Sequence, residues 1–132
     1  MLLTDTDSFH YDIETKDFYK DISGDVKAKF DTSAYPENHS SGIPTGINKK
    51  VIGMMKDECN GEIMDELAAL RAKLYAAKMY NGDEDKKCKG INKTVTKNDI
   101  AFEDYKNVLF NRTTQMRKMN VSRSHKHEIY TE

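Results

Sequence analysis

Two aspartates, Asp5 and Asp7, stand one residue apart inside the run LLTDTDSF at residues 2–9. On an extended backbone, carboxylates at that spacing point to the same side and can converge on one cation. Mg²⁺ suits them, because it is a hard ion that prefers carboxylate and phosphate oxygen. In phosphoryl transfer such ions activate the attacking oxygen and neutralise the leaving pyrophosphate. DTDS is equally an ordinary polar turn, since Asp, Thr and Ser side chains bond their own backbone.

Lys73 and Tyr75 flank Leu74. On a strand they would share a face and offer a cation and a hydroxyl to a nucleic-acid backbone. A snorkelling lysine on a half-exposed strand has the same pattern. KKCKGI at 86–91 sets Lys86, Lys87 and Lys89 beside Gly90, where a phosphate backbone could approach closely. A solvated basic strand reads the same way. His125 and His127 flank Lys126, which disfavours a metal between them and makes this a surface, phosphate-facing piece. His39 has no second ligand nearby and reads as solvated. Cys59 and Cys88 have neither CxxC spacing nor a base partner, so both read as ordinary thiols.

Periodicity predicts the elements that must position these groups. Residues 2–13 read as a β-hairpin, with Phe9, Tyr11 and Ile13 alternating after the DTDS turn. Thr15 is placed to cap a helix over 16–30, where Phe18, Ile22, Val26 and Phe30 form one apolar stripe and Gly24 weakens the middle. Residues 31–50 carry both prolines and read as a surface loop, followed by a short strand at 50–58. Residues 62–79 are ambiguous. Ile63, Leu67, Leu70 and Leu74 have helical spacing, whereas the stretch from Leu70 onward also alternates. Asn81-Gly82 is a hairpin signal that favours strands at 70–79 and 86–91. From residue 94 the pattern changes: Asn98 or Asp99 is placed to cap a helix that carries Phe102, Tyr105, Leu109 and Phe110 on one face. The tail reads as basic with short strand-like pieces.

The composition allows one domain or two small ones with a modest core: 132 residues, 33% charged and 37% hydrophobic. No apolar run reaches the roughly 20 residues of a membrane span, and the residues after Met1 lack the pattern of a secretory signal. With only two isolated cysteines, a reducing interior is expected, where the sequons at Asn38, Asn92, Asn111 and Asn120 carry no meaning. The net charge of −1 hides an asymmetry. Residues 1–66 carry 14 acidic and 7 basic side chains, and residues 86–132 carry 5 and 11. An acidic half joined to a basic half fits a metal site beside a polyanion track.

Taken in order, LLTDTDSF, GMMKDE, LRAKLY, KCKGI and FEDYKNVLF make the chain resemble the C-terminal part of a family-B DNA polymerase. The similarity is to the protein-primed branch found in Polinton (Maverick) transposons, viruses and linear plasmids. It implies an α+β fold, with residues 1–93 forming the later part of a palm and 94–132 the start of a thumb. By that resemblance Asp5 and Asp7 match the metal-binding aspartates of the Y-x-D-T-D-S motif. Lys73 and Tyr75 match the K-x-Y motif, which positions the primer terminus. The lysines of KKCKGI, Lys87 and Lys89 among them, would face DNA. Two Mg²⁺ ions, primer–template DNA, deoxynucleoside triphosphates and a terminal priming protein follow as expected cofactor and partners, with a nuclear or viral replication site as the expected location.

Leu3 departs from the family, which has tyrosine there to shape the nucleotide pocket. The family also needs another palm carboxylate, a lysine-bearing fingers helix and usually an exonuclease domain, and these 132 residues hold none of them. The chain begins inside the motif-bearing strand, so it is expected to be a fragment, inactive alone. A non-catalytic nucleic-acid-binding relic is the main alternative. A haloacid-dehalogenase-type phosphatase, with Asp5 as nucleophile and Asp7 as general acid, would need alternating βα units that the pattern does not show.

Overall fold

Short apolar runs punctuated by Gly, Asn and Asp give short elements. The computed structural model describes residues 1–131, with four helices and nine strands distributed over two units and thus an α+β fold. One unit comprises Met1–Thr4 and Ser8–Met64; the other comprises Asp5–Asp7 and residues 65 onward. No described helix is long and apolar enough to cross a membrane.

In the first unit, β1 (Leu3–Asp5) and β2 (Ser8–His10) form the expected hairpin, shorter than 2–13. Phe9 stacks on Tyr11, with ring centroids 6.1 Å apart. The helix expected over 16–30 is instead two, α1 (Phe18–Ile22) and α2 (Val26–Lys29), interrupted at Ser23–Asp25 around Gly24. Gly costs about 1 kcal/mol relative to Ala inside a helix, enough to break so short a segment. The cap is Asp17 rather than Thr15. The Asp17 side chain accepts from the Lys20 amide, which holds its carboxyl below the usual range, and Thr15 donates to Asp21. Val26 is the fully buried residue of the predicted stripe.

Residues 31–50 are a loop, as expected, but an ordered one. Thr32 donates from its hydroxyl to the Pro44 carbonyl at 2.8 Å and from its amide to Ile47 at 3.2 Å. Asn48 donates to the carbonyls of Lys27 and Phe30. The strand expected at 50–58 shrinks to β4 (Met55–Lys56), paired in parallel with β3 (Phe30–Asp31).

His39 is a correction: it is not solvated. Its ring lies half-buried against Tyr35 and Tyr19, at centroid distances of 5.0 and 5.3 Å. Nε2 sits 3.0 Å from the Gly61 carbonyl and Nδ1 2.6 Å from Ser41 Oγ. Only glycine fits at 61. Its φ is +88°, and a Cβ would fall 2.7 Å from His39 Nε2. Gly61→Ala should therefore destabilise this unit by more than about 1 kcal/mol, measured as a lower urea midpoint at unchanged slope; an unchanged midpoint would show that the His39 clasp is slack.

In the second unit, residues 64–79 are strand. β5 (Met64–Arg71) and β6 (Leu74–Met79) join through a tight turn at Ala72–Lys73, and β6 pairs antiparallel with β7 (Glu84–Cys88). The Asn-Gly signal marks that second hairpin: Gly82 has φ +94°, and the Asn81 side chain accepts from the Asp83 amide at 2.9 Å. β7 ends at Cys88 rather than 91.

The helix expected after Asn98 or Asp99 starts later, as α4 (Phe102–Asn111) with Ala101 at its N-cap, and a short helix that the pattern did not announce, α3 (Lys93–Asn98), precedes it. Asn92 caps α3 by accepting from the Val95 amide, and the Asp104 carboxylate accepts from the Ala101 amide at the start of α4. Phe102 and Tyr105 bury against Ala68 and Ala76, whereas Leu109 and Phe110 stay exposed. Lys86 locks this arrangement. Its ammonium donates to the Ile100 carbonyl at 2.5 Å and pairs with Glu84 at 3.0 Å, and Glu84 in turn accepts from the Phe102 amide. β8 (Ser122–His125) and β9 (Glu128–Thr131) close the chain as an antiparallel hairpin.

Candidate nucleic-acid interface

Asp5 ends β1, and the turn that follows passes through Thr6 in the left-handed region, φ 62°. The two aspartates are therefore not i and i+2 residues of one extended strand, and the strand geometry that would make them converge is absent. The Asp5 side chain is 15% exposed and Asp7 lies on the surface. Lys73 reaches Asp5, Nζ to Oδ1 3.8 Å. Thr6 Oγ1 donates to the same carboxylate oxygen at 3.4 Å.

Lys73 and Tyr75 do not share an exposed face. Lys73 occupies the β5–β6 turn with φ 60°, whereas Tyr75 lies on β6 and is 3% exposed. Only the lysine is presented to solvent. β6 is the middle strand of the three, and Tyr75, Ala76 and Ala77 are buried in succession, so both of its faces are covered there.

A groove of about 700 Å³ runs along β7 and α3 and brings Asp5, Lys73, Lys87 and Lys89 together. Two further cations line it, Lys93 and Lys97, which sequence reading did not select. Their signal was available: they stand four residues apart on one helix and so share a face. Lys87, Lys89, Lys93 and Lys97 are exposed, whereas the Lys86 side chain is only 10% exposed and satisfied by Glu84 and the α3–α4 carbonyls. Glu84 and Asp85 add two carboxylates to the lining, the first already neutralised by Lys86. Tyr75 and Asp7 do not line the groove.

Cys88 sits on β7 near the Tyr105 ring; burial, with the neighbouring thiol second, pushes the Tyr105 hydroxyl pKa well above its usual range. That hydroxyl donates to the Lys87 carbonyl at 3.0 Å and so fixes the backbone between Lys87 and Lys89. His125 and His127 lie in the terminal hairpin, exposed, with Lys126 and His127 forming its left-handed turn.

The donor set decides whether these residues suit a resident Mg²⁺. Such an ion takes an octahedral shell of oxygens, with one or two carboxylates plus waters and substrate phosphates. Here one of the two carboxylates already faces an ammonium, and among the described residues no group of three or more His, Cys, Asp or Glu side chains gathers. The arrangement does not fit a resident ion, so no metal-dependent step is derived from it. What it can do is hold a polyanion by its charge. No protein family, curated protein or solved structure matches the chain.

Proposed function

We propose that this chain is the palm-and-thumb part of a family-B-type DNA polymerase and that, alone, it holds primer–template DNA without extending it. The observation that carries the reading is the lysine-lined groove of the second unit, with Asp5 in its lining. Four exposed ammonium groups, those of Lys87, Lys89, Lys93 and Lys97, line this groove, and lysine contacts to phosphate read no base, as a sequence-tolerant DNA holder requires. The motif order DTDS, KLY, KCKGI supplies the polymerase part of the reading. Mg²⁺, deoxynucleoside triphosphates and a priming protein would act only with segments that bring further ligands. The alternation of β and α elements that a DxD phosphatase needs is not what the described elements supply: seven of the nine strands precede the third helix.

The test is binding of a primer–template duplex by the 132-residue chain across a salt series. Each phosphate neutralised contributes a slope of about −0.9 in log K against log salt. Four lysines give about −3 to −4, or roughly a hundredfold loss between 50 and 200 mM salt. Lys87→Gln and Lys89→Gln should each lower the slope by about 1 whatever the DNA sequence. Salt-independent binding, or none at 50 mM, would remove the groove from the reading. Robust primer extension in Mg²⁺ would overturn the proposal that the chain alone holds DNA without extending it.

A further inference from the structure

We infer that Lys73 is an internal counter-ion that keeps divalent cations off the DTDS turn. The inference goes beyond the DNA reading, because it stands on one ion pair and holds whether or not the groove binds DNA. Its basis is the contact between Lys73 Nζ and Asp5 Oδ1 at 3.8 Å, the lysine half exposed and the carboxylate largely covered. Two left-handed residues, Thr6 at φ 62° and Lys73 at φ 60°, shape the two turns that meet there. Non-glycine residues rarely adopt that conformation, and each of these two turns carries or adjoins one partner of the pair.

The Asp5–Asp7 turn groups with the second unit although β2, the strand that follows it, belongs to the first. The pair therefore lies within one body. An ammonium at that distance already offsets part of the carboxylate charge that would draw a cation. It costs a divalent ion the pair energy and adds repulsion from the lysine charge.

The experiment is a Mn²⁺ titration of the ¹⁵N-labelled chain at low ionic strength, without DNA, reading paramagnetic broadening of the Thr6, Asp7 and Ser8 amides. In Lys73→Met that broadening should appear at about threefold to fivefold lower Mn²⁺ than in the parent chain, the factor an exposed pair allows. Lys73→Arg should behave like the parent, and adding Asp5→Asn to Lys73→Met should abolish the gain. The Ala76 and Phe102 amide shifts report in the same spectra that the second unit is folded. Equal broadening in Lys73→Met and the parent, or a gain that survives Asp5→Asn, would overturn the inference. A failed DNA titration would leave it standing, and its own failure would leave the groove intact.

Discussion

Replacing Phe102 with alanine is expected to cost about 3–5 kcal/mol, the range for emptying a buried aromatic site, and to unfold the second unit at physiological temperature. Phe102 is 1% exposed and packs with Tyr105, Ala68 and Ala76, while Leu70, Leu74 and Ile100 close the cluster. Two of those four central residues are alanines. Their methyl groups cannot extend into the space the ring leaves, so the site cannot collapse and the cavity penalty stays large. The ring also carries the Lys106 ammonium 5.6 Å above it, and Lys106 bonds Glu66 on β5 at 2.9 Å. Loss of Phe102 therefore loosens α4 from two strands. A thermal or urea scan followed by amide signals of β6 checks this. A loss below about 1 kcal/mol, the size of an ordinary surface change, would mean that the helix is held by its polar contacts alone.

The same alanines explain why this segment reads ambiguously and why strand wins there against local propensity. Residues 62–79 are rich in strong helix formers, and Leu67, Leu70 and Leu74 keep helical spacing. In the folded chain Ala68 and Ala76 act through their size: they let the α4 rings approach the sheet. Tertiary packing overrides propensity, and the Asn81-Gly82 turn was the local feature that pointed the right way. Tyr105 and Phe102 were legible because their spacing matches one helix face. Leu109 and Phe110 continue the same lettering past the end of the core and stay exposed.

Site legibility follows the same division. Lys87 and Lys89 could be read because they alternate on a short basic run. The separation of Lys73 from Tyr75 could not, because it depends on a tight turn that places the lysine in the left-handed region, φ 60°. Turn chemistry usually advertises itself through Gly or Asn, and Ala72-Lys73 has neither. The Asp5–Lys73 pair and the His39–Gly61 clasp join residues far apart in sequence, where no periodicity reaches.

Asp57→Ala is expected to destabilise the first unit by about 2–3 kcal/mol, because hydrogen bonds to a charged acceptor contribute about 1.5–3 kcal/mol each and the site is partly wet. The Asp57 carboxylate accepts from the Tyr35 hydroxyl at 2.8 Å, from the Cys59 amide at 2.8 Å and from the Gly61 amide at 2.9 Å. Removing it orphans all three donors and frees the loop whose carbonyl holds His39 and accepts from Tyr19 at 3.4 Å.

The pH dependence separates this network from a simple packing loss. Burial, and then the hydrogen bond to Asp57, push the Tyr35 pKa far above its ordinary value near 10; burial raises Tyr19 as well. The folded state thus keeps protons that the unfolded chain releases above pH 10. The stability they contribute is complete below that pH and is lost as pH climbs toward the folded pKa. Tyrosinate absorbance should therefore show Tyr19 and Tyr35 ionising together with alkaline unfolding of this unit, above the ordinary tyrosine value near 10. In Asp57→Ala the Tyr35 shift should shrink, and unfolding should begin at lower pH. If Tyr35 instead titrates at the ordinary tyrosine value in the parent chain, its hydroxyl is open to water and Asp57 is not the hub of this loop.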